Sequence, residues 1–383
     1  MRYDAIVIGS GQAGNPLIYS LAERGWKVAM VEKEHLGGTC VNTGCTPTKT
    51  MVASAQVAHY ARNASRWGVR TGPVSVDLPA VVARKRAVVE RFRGGHQSKM
   101  EGNPNITLVR GTARFRDARH VAVGDLVLES ERIFINTGAR PDVPPIPGIV
   151  DVPFVDNASL MELSEVPEHL LILGGGYVGL EFGQMFRRFG SRVTLVHRGG
   201  EVLKREDPDV ASELRKVLEG EGVAFALDAC ATAVEKTAGG VAVTVVVRGE
   251  TRRLEGSHLL VATGRRPNTD DLGLDRAGVE TDSRGFIRVN GRLETTAPAI
   301  WAMGDVKGGP AFTHISWNDY QVVYGNVVEG RSLSIEGRPV PYAVFTDPQL
   351  GRVGDDRAGR PAIGAATQGR KDPDGPGSPR HRA

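Results

Sequence analysis

A short design occurs twice in this chain and leaves few folds open to it. In the first copy an apolar run from Asp4 ends in Gly9-Ser10-Gly11-Gln12-Ala13-Gly14, an amphipathic stretch over residues 17–24 stops at Gly25, and a strand over residues 27–31 ends at Glu32. In the second, the strand His169–Leu173 enters Gly174-Gly175-Gly176-Tyr177-Val178-Gly179, followed by a helix over residues 180–189, Gly190, and a strand Arg192–Val196. That order predicts parallel βαβ units, hence an α/β chain with two Rossmann-like units. Gly9, Gly11 and Gly14, and again Gly174, Gly176 and Gly179, would let a pyrophosphate sit on a helix N-terminus. Glu32 stands where a carboxylate can accept both ribose hydroxyls of a dinucleotide; a plain glycine-rich turn is the alternative.

At the matching place the second copy has His197, then Arg198, with Lys204 further on. An acid there suits the free ribose of NAD, whereas arginine accommodates the extra phosphate of NADP, so the expectation is NADP, with NAD still open. The alternative is that all three are surface residues after a strand. Each copy leaves by a similar segment, Thr137-Gly138-Ala139-Arg140-Pro141 and Ala262-Thr263-Gly264-Arg265-Arg266-Pro267. The simplest use of two such units is to pass a hydride between two cofactors.

Two of the three cysteines fall in Gly37-Gly38-Thr39-Cys40-Val41-Asn42-Thr43-Gly44-Cys45-Thr46-Pro47-Thr48-Lys49. Four residues separate them, which is not a zinc spacing, and only Cys230 remains, so no metal site is expected. They are either two small buried hydrophobes or a redox pair. Thr46-Pro47 reads as an N-cap and first helical residue, with a helix over residues 49–58 following. A thiol at such an N-terminus, with a lysine one turn on, has a stabilised thiolate. Cys230 reads as structural.

Elsewhere the reading is coarser. Residues 81–92 suggest a basic helix whose Arg84, Lys85, Arg86, Arg91 and nearby Arg93 form a solvated face. Residues 105–136 suggest an antiparallel meander, and residues 224–247 a second one. Pro144-Pro145-Ile146-Pro147-Gly148 reads as a hinge. A strand over residues 287–290 and another ending in Gly304-Asp305 are followed by a helix over residues 314–328, and the Asp305 carboxylate could bond a polyol. Asp347-Pro348 reads as a turn. Residues 355–383 are too poor in large apolar side chains to offset ordering entropy, so disorder is expected. The formal charge of +4 over 383 residues, with arginines spread along the chain, argues against a nucleic-acid partner. The absence of a signal-peptide layout or a membrane-length apolar run, with so few cysteines, points to a cytoplasmic protein.

The cysteine stretch, the two glycine fingerprints and Gly304-Asp305 together resemble the class I pyridine nucleotide-disulfide oxidoreductases, the group of dihydrolipoamide dehydrogenase, glutathione reductase and mercuric reductase. The cysteine motif and Phe312-Thr313-His314-Ile315-Ser316 are most similar to mercuric reductase-like sequences. The resemblance implies three-layer ββα dinucleotide domains: an FAD domain over residues 1–150 and 283–335, and an NAD(P) domain over residues 151–282. Residues 336–354 would begin an α+β dimer-interface domain. It implies that Cys45 faces the flavin and Cys40 meets a disulfide or other small-molecule acceptor. Lys49 would lie by the flavin paired with Glu181, Tyr177 would gate the nicotinamide pocket, and Asp305 would hold the ribityl chain. Gly38, Thr39, Thr137, Gly138, Gly304 and Gly264 would complete the cofactor contacts.

The family is homodimeric, and its interface domain runs on for roughly a hundred residues, a typical domain length, supplying a His-Glu pair to the partner. Only residues 339–354 match its start, and His381 has no following Glu. The expectation is a chain truncated in mid-domain after Gly354, and the alternative function is a flavin-binding fragment with residual diaphorase or oxidase activity. No cysteine follows Cys230, so mercury reduction by this chain alone is not expected.

Overall fold

The computed structural model describes residues 1–354; the disorder expected over 355–383, and His381, lie outside the described residues. The first glycine unit comprises β1 (Ala5–Ile8), α1 (Gly14–Glu23) and β2 (Val28–Glu32). Then come α2 (Gly38–Asn42), α3 (Cys45–Asn63) and α4 (Leu78–Glu101), followed by β3 (Ile106–Arg110), β4 (Ala113–Phe115), β5 (His120–Val123), β6 (Leu126–Glu129), β7 (Ile133–Ile135) and β8 (Ala139–Pro141). The second unit is β9 (His169–Leu173), α5 (Tyr177–Phe189), β10 (Arg192–Val196), α6 (Pro208–Gly220), β11 (Val223–Ala226), β12 (Ala229–Thr237), β13 (Gly240–Val247), β14 (Glu250–Gly256), β15 (His258–Val261) and β16 (Arg265–Pro267). The described chain closes with β17 (Ile300–Ala302), α7 (Thr313–Val327), β18 (Tyr342–Val344) and β19 (Leu350–Arg352).

Two parallel sheets carry the fold. One has the order β17-β7-β1-β2-β3, the other β11-β10-β9-β15. β1 and β2 are buried along their whole length, because helices and further strands cover both faces. That double burial is why these strands read as unbroken apolar runs.

Each expected meander holds only in part: the first in its middle, the second after its first strand and on past residue 247 to Gly256. β4, β5 and β6 form one antiparallel sheet and β12, β13 and β14 another. β3 instead lies parallel to β2, β7 parallel to β1, and β11 parallel to β10. Short apolar segments such as Ile133-Phe134-Ile135 do not announce strand direction; the sheet decides it. The two similar exit segments pair with each other, Arg265 opposite Pro141 and Pro267 opposite Ala139. Residues 287–290 contribute only an isolated bridge, Ile287 with Thr281.

α4 is longer than the basic stretch implied and starts at Asp77, whose side chain accepts the Ala80 amide at 2.9 Å. Its lysine is not on a solvated face: Lys85 is buried and ion-paired with Glu162, which also takes Arg86. A buried ammonium needs such a partner. Arg93 also points inward, donating to Asn42 Oδ1 at 2.9 Å. No described helix is long and apolar enough to cross a membrane.

The packing that matters for the site is α3 against α5. Met51 and Ala55 share one buried cluster with Leu180, Phe182 and Phe186. The thiol-bearing end of α3 is thereby held beside the first turns of α5.

Candidate active site

The helix after the thiols begins earlier than the sequence suggests. α3 starts at Cys45 itself, with Gly44 as its N-cap, so Thr46 is not the cap and Pro47 falls inside the first turn. Proline costs nothing there, since its missing N–H has no partner in that turn. Cys45 thus occupies the first helical position, where the dipole favours an anion.

Both thiols are free, and Thr313 at the start of α7 reaches both: its Oγ1 lies 3.1 Å from Cys45 Sγ and 3.5 Å from Cys40 Sγ. The pair divides unequally. The hydrogen bond from Cys40, then the Thr313 hydroxyl and the Lys49 charge, bring Cys45 down to about 6 despite burial of its sulfur. The same shared hydrogen bond and burial push the Cys40 thiol well up. At neutral pH the arrangement is a Cys45 thiolate accepting from a Cys40 thiol.

One turn on, Lys49 Nζ donates to Glu181 Oε2 at 2.5 Å, and it stands 4.4 Å from the centre of the Phe345 ring. Glu181 is buried, and its other oxygen accepts the Phe345 amide at 2.9 Å. A carboxylate removed from water needs both partners.

These groups open on a cavity of about 1150 Å³, whose lining includes Gly9, Gly11, Glu32, Gly38, Thr39 and Thr137, with Cys40, Cys45, Lys49, Gly138, Tyr177, Glu181 and Asp305 around the rest of the wall. Its glycine floor is tight: a Cβ on Gly38 would stand 2.9 Å from Gly11 Cα, and one on Gly11 2.6 Å from Asn136 Oδ1. Glu32 is buried and accepts Ser10 N and Oγ at 2.9 and 2.7 Å and Glu34 N at 2.9 Å. Burial raises the Asp305 carboxyl, and its side chain has no hydrogen bond among the described residues. Tyr177 is held 5.9 Å from Phe312, which stacks on Tyr342 at 5.1 Å. Burial raises its phenol.

Other expected residues lie behind or away from this wall. Gly14 and Gly304 sit beneath it, close to the Gly9 carbonyl and to Asn136 and Ser316. Gly174, Gly176, Gly179 and Gly264 do not line this cavity, and neither do His197, Arg198 or Lys204. His197 is not a free surface group: its Nδ1 accepts the Gly175 amide at 3.2 Å. Burial, with the neighbouring Arg198 charge, lowers its pKa. Arg198 and Lys204 are exposed. Cys230 is exposed on β12.

Sequence reasoning left out Thr313, Asn136, Ser10 and Phe345. Asn136 ties the end of β7 to the start of α1 and the end of β17, accepting Gly14 N at 2.9 Å and donating to the Met303 carbonyl at 2.9 Å. Nothing local marks it, and although Thr313 falls in the family-like stretch 312–316, nothing there ties it to Cys45, 268 residues away. Beside the large cavity is a second, of about 600 Å³, between α1, α4 and α7; it shares Gln12 with the first and has Tyr19, Phe92, Trp317 and Tyr320 in its wall.

Comparison with known proteins agrees with this geometry. Residues 3–319 match the pyridine nucleotide-disulphide oxidoreductase family. RclA of Escherichia coli K12, described as a probable pyridine nucleotide-disulfide oxidoreductase, is 40% identical over 361 residues, covering 92% of this chain and 77% of RclA. The mercuric reductase of Streptomyces lividans is 36% identical over 374 residues, covering 96% of this chain and 79% of that enzyme. The solved structure of RclA, titled an HOCl-induced flavoprotein disulfide reductase, superposes with a TM-score of 0.84 at 39% identity over 93% of this chain and 78% of that one. Glycine turns, thiol pair and overall match together make this chain an enzyme of the pyridine nucleotide-disulphide oxidoreductase family.

Proposed function

We propose that this enzyme is an FAD-dependent NAD(P)H oxidoreductase that delivers electrons through Cys40 and Cys45 to a disulfide or comparable small-molecule acceptor. The single observation that carries the reading is the Cys45 sulfur at the first position of α3, one turn from the Lys49–Glu181 pair and facing the same cavity as the first glycine turn. We further propose that residues 1–150 and 283–335 form the FAD domain, 151–282 the NAD(P) domain, and 336–354 the beginning of an interface domain.

The residues present fit FAD, the cofactor that the family implies. The cavity is large enough, its glycine floor lets a ligand approach the backbone closely, and the half-buried Asp305 carboxyl stands on its wall with no side-chain hydrogen bond among the described residues. Glu32 would accept ribose hydroxyls, and the amides of the first turn would take the pyrophosphate. Bound there, the flavin supplies two-electron chemistry between nicotinamide and a dithiol. The protein's part is to hold Cys45 ionised, to keep the Lys49 charge in place through Glu181, and to close the nicotinamide side with Tyr177. Cys40 would be the thiol that exchanges with an acceptor, a step for which its proton must first be taken away, since only the thiolate attacks. Arg198 and Lys204 support NADPH over NADH, the first as a flexible exposed cation just past the strand end.

The test is reduction of disulfides by the FAD-reconstituted protein with NADPH and with NADH. Cu(II) belongs in the acceptor panel, because one solved RclA structure is titled as a Cu(II) complex. Cys45→Ser should lower acceptor turnover by about a thousandfold or more. In the reduced protein, iodoacetamide should alkylate Cys45 with a midpoint near pH 6. Colourless protein that takes up no flavin would overturn the reading.

A further inference from the structure

The segment over residues 344–347 crosses the first two turns of α5 without belonging to either parallel sheet. The hairpin it joins, β18 with β19, has strands of three residues each. Such a ribbon is not stable by itself, so something else must hold it.

Side chains of α5 do so, at positions that share one face of the helix. Glu181 Oε1 accepts the Phe345 amide at 2.9 Å, and Gln184 Oε1 accepts the Asp347 amide at 2.8 Å. Gln184 Nε2 returns a bond to the Asp347 carbonyl at 2.8 Å. The helix thus offers side-chain groups to alternate backbone amides, as a neighbouring strand would. Arg188, one turn further, and Gln56 of α3 close on Asp347 Oδ2 at 2.9 and 2.8 Å. Arg188 is buried, and its remaining donors go to Glu221 at 2.6 and 2.8 Å and to Gln56 Oε1 at 2.6 Å.

A buried charged network of this kind is a poor way to gain stability, since a well-packed apolar cluster would serve as well. What it offers is direction. Each bond fixes where the backbone of residues 345 and 347 can lie, and that fixes the Phe345 ring over Lys49.

We propose that Gln184, Arg188 and Asp347 are positioning residues that clamp the segment over α5 so that Phe345 shields the Lys49–Glu181 pair from water. The inference rests on the role given above to Lys49 beside Cys45. With the clamp released, more water reaches Lys49, whose side chain is already 33% exposed, its field at Cys45 is screened further, and the thiolate loses part of its support.

Two readouts on the reconstituted holoprotein test this, neither of which is turnover. Gln184→Met keeps the volume but removes all of its hydrogen bonds. It should speed amide exchange over residues 344–347 by about tenfold or more while the central strand β9 stays protected. It should also raise the midpoint of Cys45 alkylation by about 0.5 pH unit or more. Asp347→Asn keeps both main-chain bonds to Gln184 and should move both readouts in the same direction by less. If β9 loses protection in Gln184→Met, Asp347→Asn decides alone. Faster exchange with an unmoved Cys45 midpoint would reduce the clamp to scaffolding and overturn the proposal, as would no change in either. Lys49→Met separates the two readings. If it leaves the midpoint unmoved, the functional reading falls and takes the clamp with it; if it moves the midpoint and the clamp variants do not, the clamp alone is wrong.

Discussion

The turn over residues 9–14 and the turn over residues 174–179 have nearly the same backbone and different chemistry around it. In both, the first glycine has a left-handed φ, +98° at Gly9 and +118° at Gly174, and a Cβ there would stand 2.4 or 2.3 Å from a carbonyl oxygen. In both, the third glycine lies against the first: a Cβ on Gly14 or on Gly179 would come 2.2 Å from the carbonyl of Gly9 or Gly174. That much is dictated by packing a helix onto a parallel strand. The polar lock is not. Glu32 accepts the Ser10 amide in the first turn, and His197 accepts the Gly175 amide in the second. A carboxylate and a neutral imidazole do the same local work, but only the first brings a negative charge to its turn. Under the proposed function that charge would face a ribose, and the second turn, with Arg198 and Lys204 after its strand, would meet a phosphate.

The most damaging way to break the parallel is at the shared geometry. Gly179→Ala should cost about 3 kcal/mol, at the upper end of overpacking penalties, read as a lower denaturation midpoint. Gly176→Ala is the control within the same turn: nothing lies within 4 Å of the added carbon, so stability should change by no more than about 0.5 kcal/mol. Weakened NADPH binding without loss of stability at Gly176 would mark that open space as ligand space.

A smaller effect is expected where the turns differ. Arg198→Glu should shift the ratio of kcat/KM values from NADPH towards NADH by about tenfold, which is 1.4 kcal/mol. Equal preference before and after would remove the case for a phosphate site.

The smallest effect is a pH dependence confined to the second turn. His197 Nδ1 accepts a hydrogen bond, which only the neutral ring can do. Its folded pKa lies below the usual value of about 6.5, so the unfolded chain takes the proton first as the pH falls. The stability that the neutral ring contributes is thus intact above about pH 6.5 and is lost as the pH drops through the folded pKa. KM for NADPH should rise over the same window, and His197→Gln, which can still accept the amide, should flatten the rise. A profile unchanged by that substitution would locate the titration elsewhere.

Much of the site could be read along the chain because its parts are local. Gly9, Gly11 and Gly14 announce their turn, Glu32 ends the next strand, and Cys40, Cys45 and Lys49 fall within ten residues of one another. Each of these relations is fixed by the geometry of one helix or one turn. Thr46 misled for the same reason: it is a good capping residue two positions too late, and the chain caps with Gly44 instead. Lys85 misled because a cation in a basic stretch is usually solvated, whereas α4 turns this one inward against Glu162.

Residue order alone points to two parallel glycine-turn units and to a thiol near a helix N-terminus, because both signals are local, but it leaves the thiols open between a buried pair and a redox pair. Which strands lie beside which, that Asn136 ties the first turn to the Met303 carbonyl, that Thr313 reaches both sulfurs, and that Phe345 covers Lys49 were settled only when the sheets and helices packed. Those contacts join residues far apart in the chain, so no local pattern encodes them; they follow from the register of the sheets and from α3 lying on α5.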